Sequence, residues 1–194
     1  MLILASQSES RKAMLVAAGV NFTSIPAQLD ERALEVSLAG EALGTIVLAL
    51  AQAKALAVSA GHSDALVLGS DSLVAAGGRR FDKPQSRAEA AEHLRFFSGR
   101  VMQLHSAAAL TRGELTLWSV ADLVTLRVRH LSEGFIASYL DTEWPAVAGC
   151  VGVFRIEAMG VQLFESIEGN HFTVLGMPLL PVLGALRDLG ELPQ

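Results

Sequence analysis

Short apolar runs and stretches of helical periodicity take turns along the whole 194-residue chain, and this alternation narrows the fold more than any other feature. Leu2 to Ala5 reads as a buried strand, the polar stretch Ser6 to Ser10 follows, and Arg11 to Ala18 repeats with helical spacing until Gly19 stops it. Phe22 to Ile25 is a second strand, closed by Pro26. Leu43 to Ser59 is a long helix with Gly61 just past its end. Ala65 to Leu68 runs as a strand into Gly69-Ser70-Asp71-Ser72, resumes as Leu73 to Ala75, and turns back at Gly77-Gly78. Ser86 and Glu89 form a capping box for a helix reaching Phe97. Val101 to Leu110 and Glu114 to Val128 are antiparallel strands joined at Arg112-Gly113, and Ser132 caps a helix through Leu140. Gly160 to Ile167 and His171 to Leu175 are expected as a last hairpin turning at Glu168-Gly169-Asn170. Pro178 opens a C-terminal helix that Gly190 closes. Parallel-type and hairpin strands mixed with helices predict an α/β class, a mixed sheet with flanking helices. No internal repeat or linker breaks the pattern, so residues 1–194 are expected to form one domain.

A hydrophobic content of 51% supplies one substantial core. The net charge of −5 disfavours nucleic acid as a partner, since no basic excess exists to release counterions. A small anionic ligand needs only a few local cations. The opening residues carry no signal-peptide pattern, and Gln52 and Lys54 make the most apolar stretch, 43–60, too polar to span a bilayer. A soluble protein is expected, and the single cysteine, Cys150, excludes an internal disulfide and suits a reducing cytoplasm.

Five segments carry chemistry. Ser6-Gln7-Ser8-Glu9-Ser10-Arg11 lies between strand and helix, where unpaired N–H groups, hydroxyls and a guanidinium suit phosphate; it equally suits a plain N-cap with a solvated arginine. Asp71 interrupts an apolar strand, a costly place for a carboxylate unless it is paired or ligates a metal; the alternative is a bulge residue held by neighbouring N–H groups. Lys83, extended before Pro84, can reach from its loop. Lys54 sits in mid-helix, either facing a ligand or snorkelling to solvent. Asp30-Glu31 can supply a hard metal ligand or open the next helix with favourable charge. The five histidines show no metal-ligand spacing, and no P-loop is present.

In their order along nearly the whole chain these pieces resemble the Maf family of nucleotide pyrophosphatases. The opening Leu2-Ile-Leu-Ala-Ser-Gln-Ser8-Glu-Ser-Arg11 looks like the family's LASxSxxR start, Asp30-Glu31 its DE pair, and Ala51-Gln-Ala-Lys54-Ala55 its AxxKA helix. Gly69-Ser-Asp71 looks like its G[AS]D motif, Asp82-Lys83-Pro84 its GKP with Asp for Gly, and Ser98-Gly99-Arg100 its SGR. Leu163-Phe164-Glu165-Ser-Ile-Glu168-Gly169 and Val174-Leu-Gly176-Met-Pro178-Leu179 are similar to its IEG and VxGLPL segments.

The resemblance implies two lobes around a cleft, similar to the inosine triphosphate pyrophosphatases, with dependence on Mg²⁺ or Mn²⁺ and a homodimer in many members. It implies hydrolysis of a nucleoside triphosphate to monophosphate and pyrophosphate. Asp71 is then the proton acceptor; Ser8, Arg11, Lys54 and Lys83 bind phosphate; Glu31 is a metal ligand, joined by Asp71. Ser10, Ser72 and Glu157 fall where the family contacts the base. Members acting on thymidine and uridine triphosphates usually carry Arg, Thr and Gln at those three places and a DKAGAY segment. Glu157 and Arg129-His-Leu-Ser-Glu133 are more similar to the 7-methylguanosine triphosphate pyrophosphatase subgroup. Relatives described as septum-formation inhibitors suggest the alternative of a nucleotide-binding regulator of division that cleaves nothing.

Overall fold

The computed structural model describes residues 1–193. A seven-stranded mixed sheet is built from β1 (Leu2–Leu4), β2 (Phe22–Ser24), β3 (Leu66–Ala76), β4 (Arg79–Phe81), β5 (Val101–Arg112), β6 (Leu115–Val128) and β7 (Phe164–Glu168). Its order is β2-β1-β3-β5-β6-β7, with β4 hairpinned onto β3. Helices α1 (Glu9–Ala17), α2 (Glu31–Ser37), α3 (Leu43–Ser59), α4 (Arg87–Phe97), α5 (Glu133–Glu143), α6 (His171–Val174) and α7 (Leu179–Asp188) complete the expected α/β class. The described residues divide into two compact units, one of 1–72, 105–122 and 171–193, the other of 73–104 and 123–170.

In the first unit β1 lies between β2 and β3, parallel to both, with Leu2 opposite Phe22 and Leu66. Its side chains alternate between two cores. Leu2 and Leu4 join Leu66 and Leu68 of β3 against Met14, Leu15, Val182 and Leu186 of α1 and α7. Ile3 and Ala5 join Val67 against Ala55 and Val58 of α3. Both faces are covered, which is why β1 reads as a continuous apolar run rather than an alternating one. The same alternation carried along β3 sends Gly69 and Asp71 towards α3, and Ser70 and Ser72 towards α1.

The second unit holds the β3–β4 hairpin, turned by Gly77 and Gly78 at φ +57° and +74° as a type I′-like turn requires. Ser86 caps α4, its hydroxyl accepting from Glu89 N–H at 3.1 Å, while Glu89 reaches back to Gln85 N–H at 2.7 Å. The reciprocal bond of the box lands one residue before the cap.

One expectation fails. The last hairpin is absent: only Phe164–Glu168 is a strand, 159–163 is a 3₁₀ turn, and His171–Val174 is the short helix α6. Thr173 and Val174 are β-branched and apolar enough to read as strand, but both are buried as one helical turn, with Leu175 and Met177 packing into the first unit's core. Tertiary burial overrides β-propensity here.

Candidate active site

Strand β3 and helix α3 bring three charges together in the first unit. Lys54 Nζ lies 2.8 Å from Asp71 Oδ1 and 3.0 Å from Glu31 Oε2. The ammonium and the Asp71 carboxylate keep only 12% and 13% of their side-chain surface, whereas Glu31 keeps 46%. Lys54 does not snorkel to solvent, and Asp71 is not bulged: β3 is an unbroken strand from Leu66 to Ala76 and Asp71 takes the ammonium as its partner. Glu31 begins α2, where Asp30 is the N-cap and accepts from Ala33 N–H at 2.9 Å. The two residues of the acidic pair thus divide their work, one capping the helix and the other turned to Lys54.

Arg11 comes to the same place from α1. Burial leaves it 8% exposed and pulls its guanidinium below its ordinary pKa range, with Asp71 and Glu31 pulling the other way. Nε donates to Gly176 O at 2.9 Å, Nη1 to Ser6 Oγ at 3.3 Å, and Nη2 to Ser72 Oγ at 3.0 Å. It is not a solvated arginine. Two of its five N–H groups remain for a ligand, one on each terminal nitrogen. Ser8 caps α1 and accepts from Arg11 N–H. With its hydroxyl proton still to give, Ser8 stands where the helix dipole favours an anion.

Ser10 and Ser72 turn their hydroxyls to the protein. Ser10 donates to Leu175 O at 2.8 Å, and Ser72 bonds Arg11, Ser106 Oγ and Gly176 O. Gly176, at φ +101°, lets the chain pass there: a Cβ would lie 3.4 Å from Ser72 Oγ. Ser106 and Thr173 are the site members that sequence reasoning missed, and Gly176 entered it only within a family-like segment; only the apolar setting of Ser106, beside Ala107 and Ala108, hinted at a buried hydroxyl.

Lys83 and Glu157 belong to the second unit, and both are exposed. Both act on the Cys150 thiol, which burial first and Glu157 next push up to about 11, against Arg155 and Lys83. The segment bearing Glu157 is pinned by Glu143, which accepts from Arg155 Nε at 2.9 Å and from Met159 N–H at 3.2 Å.

Asp71 and Glu31 are hard oxygen donors, the chemistry a divalent ion takes. The two carboxylates share the Lys54 ammonium as their cation, and one or two carboxylates, with phosphates and water completing the shell, are the oxygen donors that Mg²⁺ takes. Among the described residues no group of three or more His, Cys, Asp and Glu converges as an all-protein cage. None of the described helices is long and apolar enough to cross a membrane.

A nucleoside triphosphate pyrophosphatase of Rhodopseudomonas palustris strain HaA2 is 46% identical over 96% of this chain and 93% of its own length. A 7-methyl-GTP pyrophosphatase of Rhizobium meliloti is 45% identical over 99% of this chain and 98% of its own. A HAM1 protein from Coxiella burnetii overlays with a TM-score of 0.40 at 17% identity, covering 66% of this chain and 72% of that one. The Maf-like protein profile matches residues 1–189, and with relatives this similar over nearly their full length the chain belongs to the Maf-like protein family.

Proposed function

We propose that this protein hydrolyses a nucleoside triphosphate to the monophosphate and pyrophosphate, with a modified guanosine triphosphate as the leading substrate class. The observation that carries the reading is the pairing of Asp71 and Glu31 with Lys54 next to the buried Arg11, since a site for phosphoryl chemistry needs cations for the oxygens and a carboxylate for water and metal. Relatives named nucleoside triphosphate and 7-methyl-GTP pyrophosphatases support the choice of reaction.

In this reading Asp71, its Oδ1 fixed by Lys54, offers Oδ2 to the attacking water and takes its proton. Lys54 and the two remaining N–H groups of Arg11 bind phosphate oxygens and balance the charge gathering on the leaving pyrophosphate. Ser8 and the start of α1 hold one phosphate by hydrogen bonds. Glu31 with Asp71 would hold Mg²⁺ or Mn²⁺, whose chemistry is to draw charge from the phosphate oxygens. Lys83 and Glu157 are proposed as further substrate contacts on their own chemistry, an ammonium for phosphate and a carboxylate for the N1–H and amino group of a guanine. A cytoplasmic location goes with this reading, because nucleoside triphosphates are held there.

The test is a panel of ordinary and 7-methylated triphosphates with Mg²⁺ or Mn²⁺, products separated. Monophosphate with pyrophosphate is expected. Orthophosphate alone would overturn the bond assignment, and tight binding of triphosphates with no product under either ion would make the protein a non-cleaving binder.

A further inference from the structure

The Arg11 guanidinium is the near end of a buried run of hydrogen bonds that passes through the hydroxyls of Ser72 and Ser106 to the backbone of Thr173. Nη2 donates to Ser72 Oγ, so Ser72 must turn its own proton elsewhere, to Ser106 Oγ at 2.9 Å or Gly176 O at 3.1 Å. Ser106, fully buried, donates its hydroxyl to the backbone carbonyl of Thr173 at 3.1 Å. Thr173, also fully buried, donates its hydroxyl to Asp122 Oδ2 at 2.5 Å. The same turn supplies Gly176 O, on which Arg11 Nε, Ser70 Oγ and Ser72 Oγ converge at 2.9, 3.3 and 3.1 Å. A hydroxyl has one proton to give: Ser106 gives its own to the Thr173 carbonyl, so Ser72, which accepts from Arg11, gives its own to Ser106 Oγ or Gly176 O. The Thr173 hydroxyl is a separate atom from the carbonyl that Ser106 reaches; its bond to Asp122 ties down the turn 173–176, whose Thr173 and Gly176 carbonyls accept from Ser106, Ser72 and Arg11.

We propose that Ser106 and Thr173, anchored by Asp122, are positioning residues that set the plane of the Arg11 guanidinium and aim its two remaining N–H groups at phosphate oxygens. The proposal rests on the reading of Arg11 as a phosphate ligand. Neither residue contacts substrate. Their effect passes through Arg11 alone, which separates them from residues that merely hold the fold.

The experiment is a double-mutant cycle on the full chain. Ser106→Ala and Thr173→Val are made in the wild-type and Arg11→Lys backgrounds, with Thr173→Ser as the variant that keeps the hydroxyl. Two quantities are read: pyrophosphate release, and affinity for inorganic tripolyphosphate by calorimetry. Small misplacements of a phosphate clamp cost heavily, so Ser106→Ala and Thr173→Val are expected to lower kcat/KM about tenfold beside Arg11 and by less than twofold beside Lys at position 11. Tripolyphosphate affinity should follow the same pattern, and Thr173→Ser should behave as wild type. Equal losses in both backgrounds, or none beside Arg11, overturn the proposal. If wild type cleaves no triphosphate yet binds tripolyphosphate through Arg11, the functional reading falls while the binding cycle still decides the proposal. If Arg11→Lys leaves tripolyphosphate affinity unchanged, Arg11 is no phosphate ligand and the proposal falls with it.

Discussion

Gly69 lies so close beneath Ala55 that the two backbones nearly touch: a Cβ on Gly69 would stand 2.7 Å from Ala55 N and 2.9 Å from its Cβ, and would run into Ala51 O. Only hydrogen at position 69 lets α3 settle onto β3, and this approach brings Lys54, next to Ala55, within reach of Asp71, two residues beyond Gly69. Gly69→Ala should therefore push helix from strand. Overpacking of this kind costs roughly 1–3 kcal/mol, or a Tm drop of about 2–4 °C per kcal/mol in a domain of this size. Activity should fall further than stability, as the Lys54–Asp71 distance opens. A thermal melt and a rate assay check it; wild-type values in both would mean that the helix is free to shift.

Asp71→Asn keeps the shape of the side chain and removes the charge that faces Lys54. The expected loss is about 10²- to 10⁴-fold in kcat, the usual worth of a positioned proton acceptor, with the circular dichroism spectrum unchanged. Glu31→Gln should act differently, raising the Mg²⁺ concentration needed for half-maximal rate more than it lowers the rate at saturation, since Glu31 is the more exposed of the two carboxylates. A metal titration of both variants separates the roles. Equal Mg²⁺ dependence in Glu31→Gln and wild type would remove Glu31 from the metal.

Much of this arrangement was legible from local signals. Leu43 to Ser59 was bounded by its Ala-rich apolar run and Gly61, and the structure gives the same bounds. Asp71 stood out because a carboxylate in an apolar strand needs a partner, and the partner proved to be the mid-helix Lys54. The run of hydrogen bonds from Arg11 to Thr173 was not legible. Ser72, Ser106 and Thr173 are brought together across 34 and 67 residues of sequence, and no spacing encodes such a meeting. The short helix α6 was misread for a related reason, because His171–Val174 is too brief to show helical periodicity and only burial decides its form.

His93 links stability to pH in the second unit. Its ring packs edge-on against Phe81 at 5.0 Å, Nδ1 is buried without a hydrogen-bond partner among the described residues, and Glu89 stands 3.8 Å from Nε2. Burial outweighs the attraction of Glu89 and lowers the folded-state pKa. A depressed histidine favours folding above its unfolded pKa of about 6.5, and that contribution is lost as pH falls through the folded value. Tm should therefore drop between pH 7.5 and pH 5.5, and His93→Phe should flatten that part of the profile. An unchanged slope in the variant would assign the acid sensitivity to other groups.

Cys150 offers a probe of the segment that carries Glu157. Burial and the Glu157 carboxylate push its thiol up to about 11, so almost none is thiolate at neutral pH, and thiolate is the reactive form. Iodoacetamide at pH 7.5 should label the native protein far more slowly than the urea-unfolded chain, whose thiol titrates near 8.5. Glu157→Gln removes one of the three causes and leaves burial and the Glu143 charge in place, so native labelling should quicken only modestly. Glu143→Gln should quicken it more. That variant loosens the carboxylate held by Arg155 and Met159 N–H and with it the packing that buries the thiol. Mass spectrometry of timed samples reads all three rates. Labelling of the native wild type as fast as of the unfolded chain would mean that this segment does not shield Cys150.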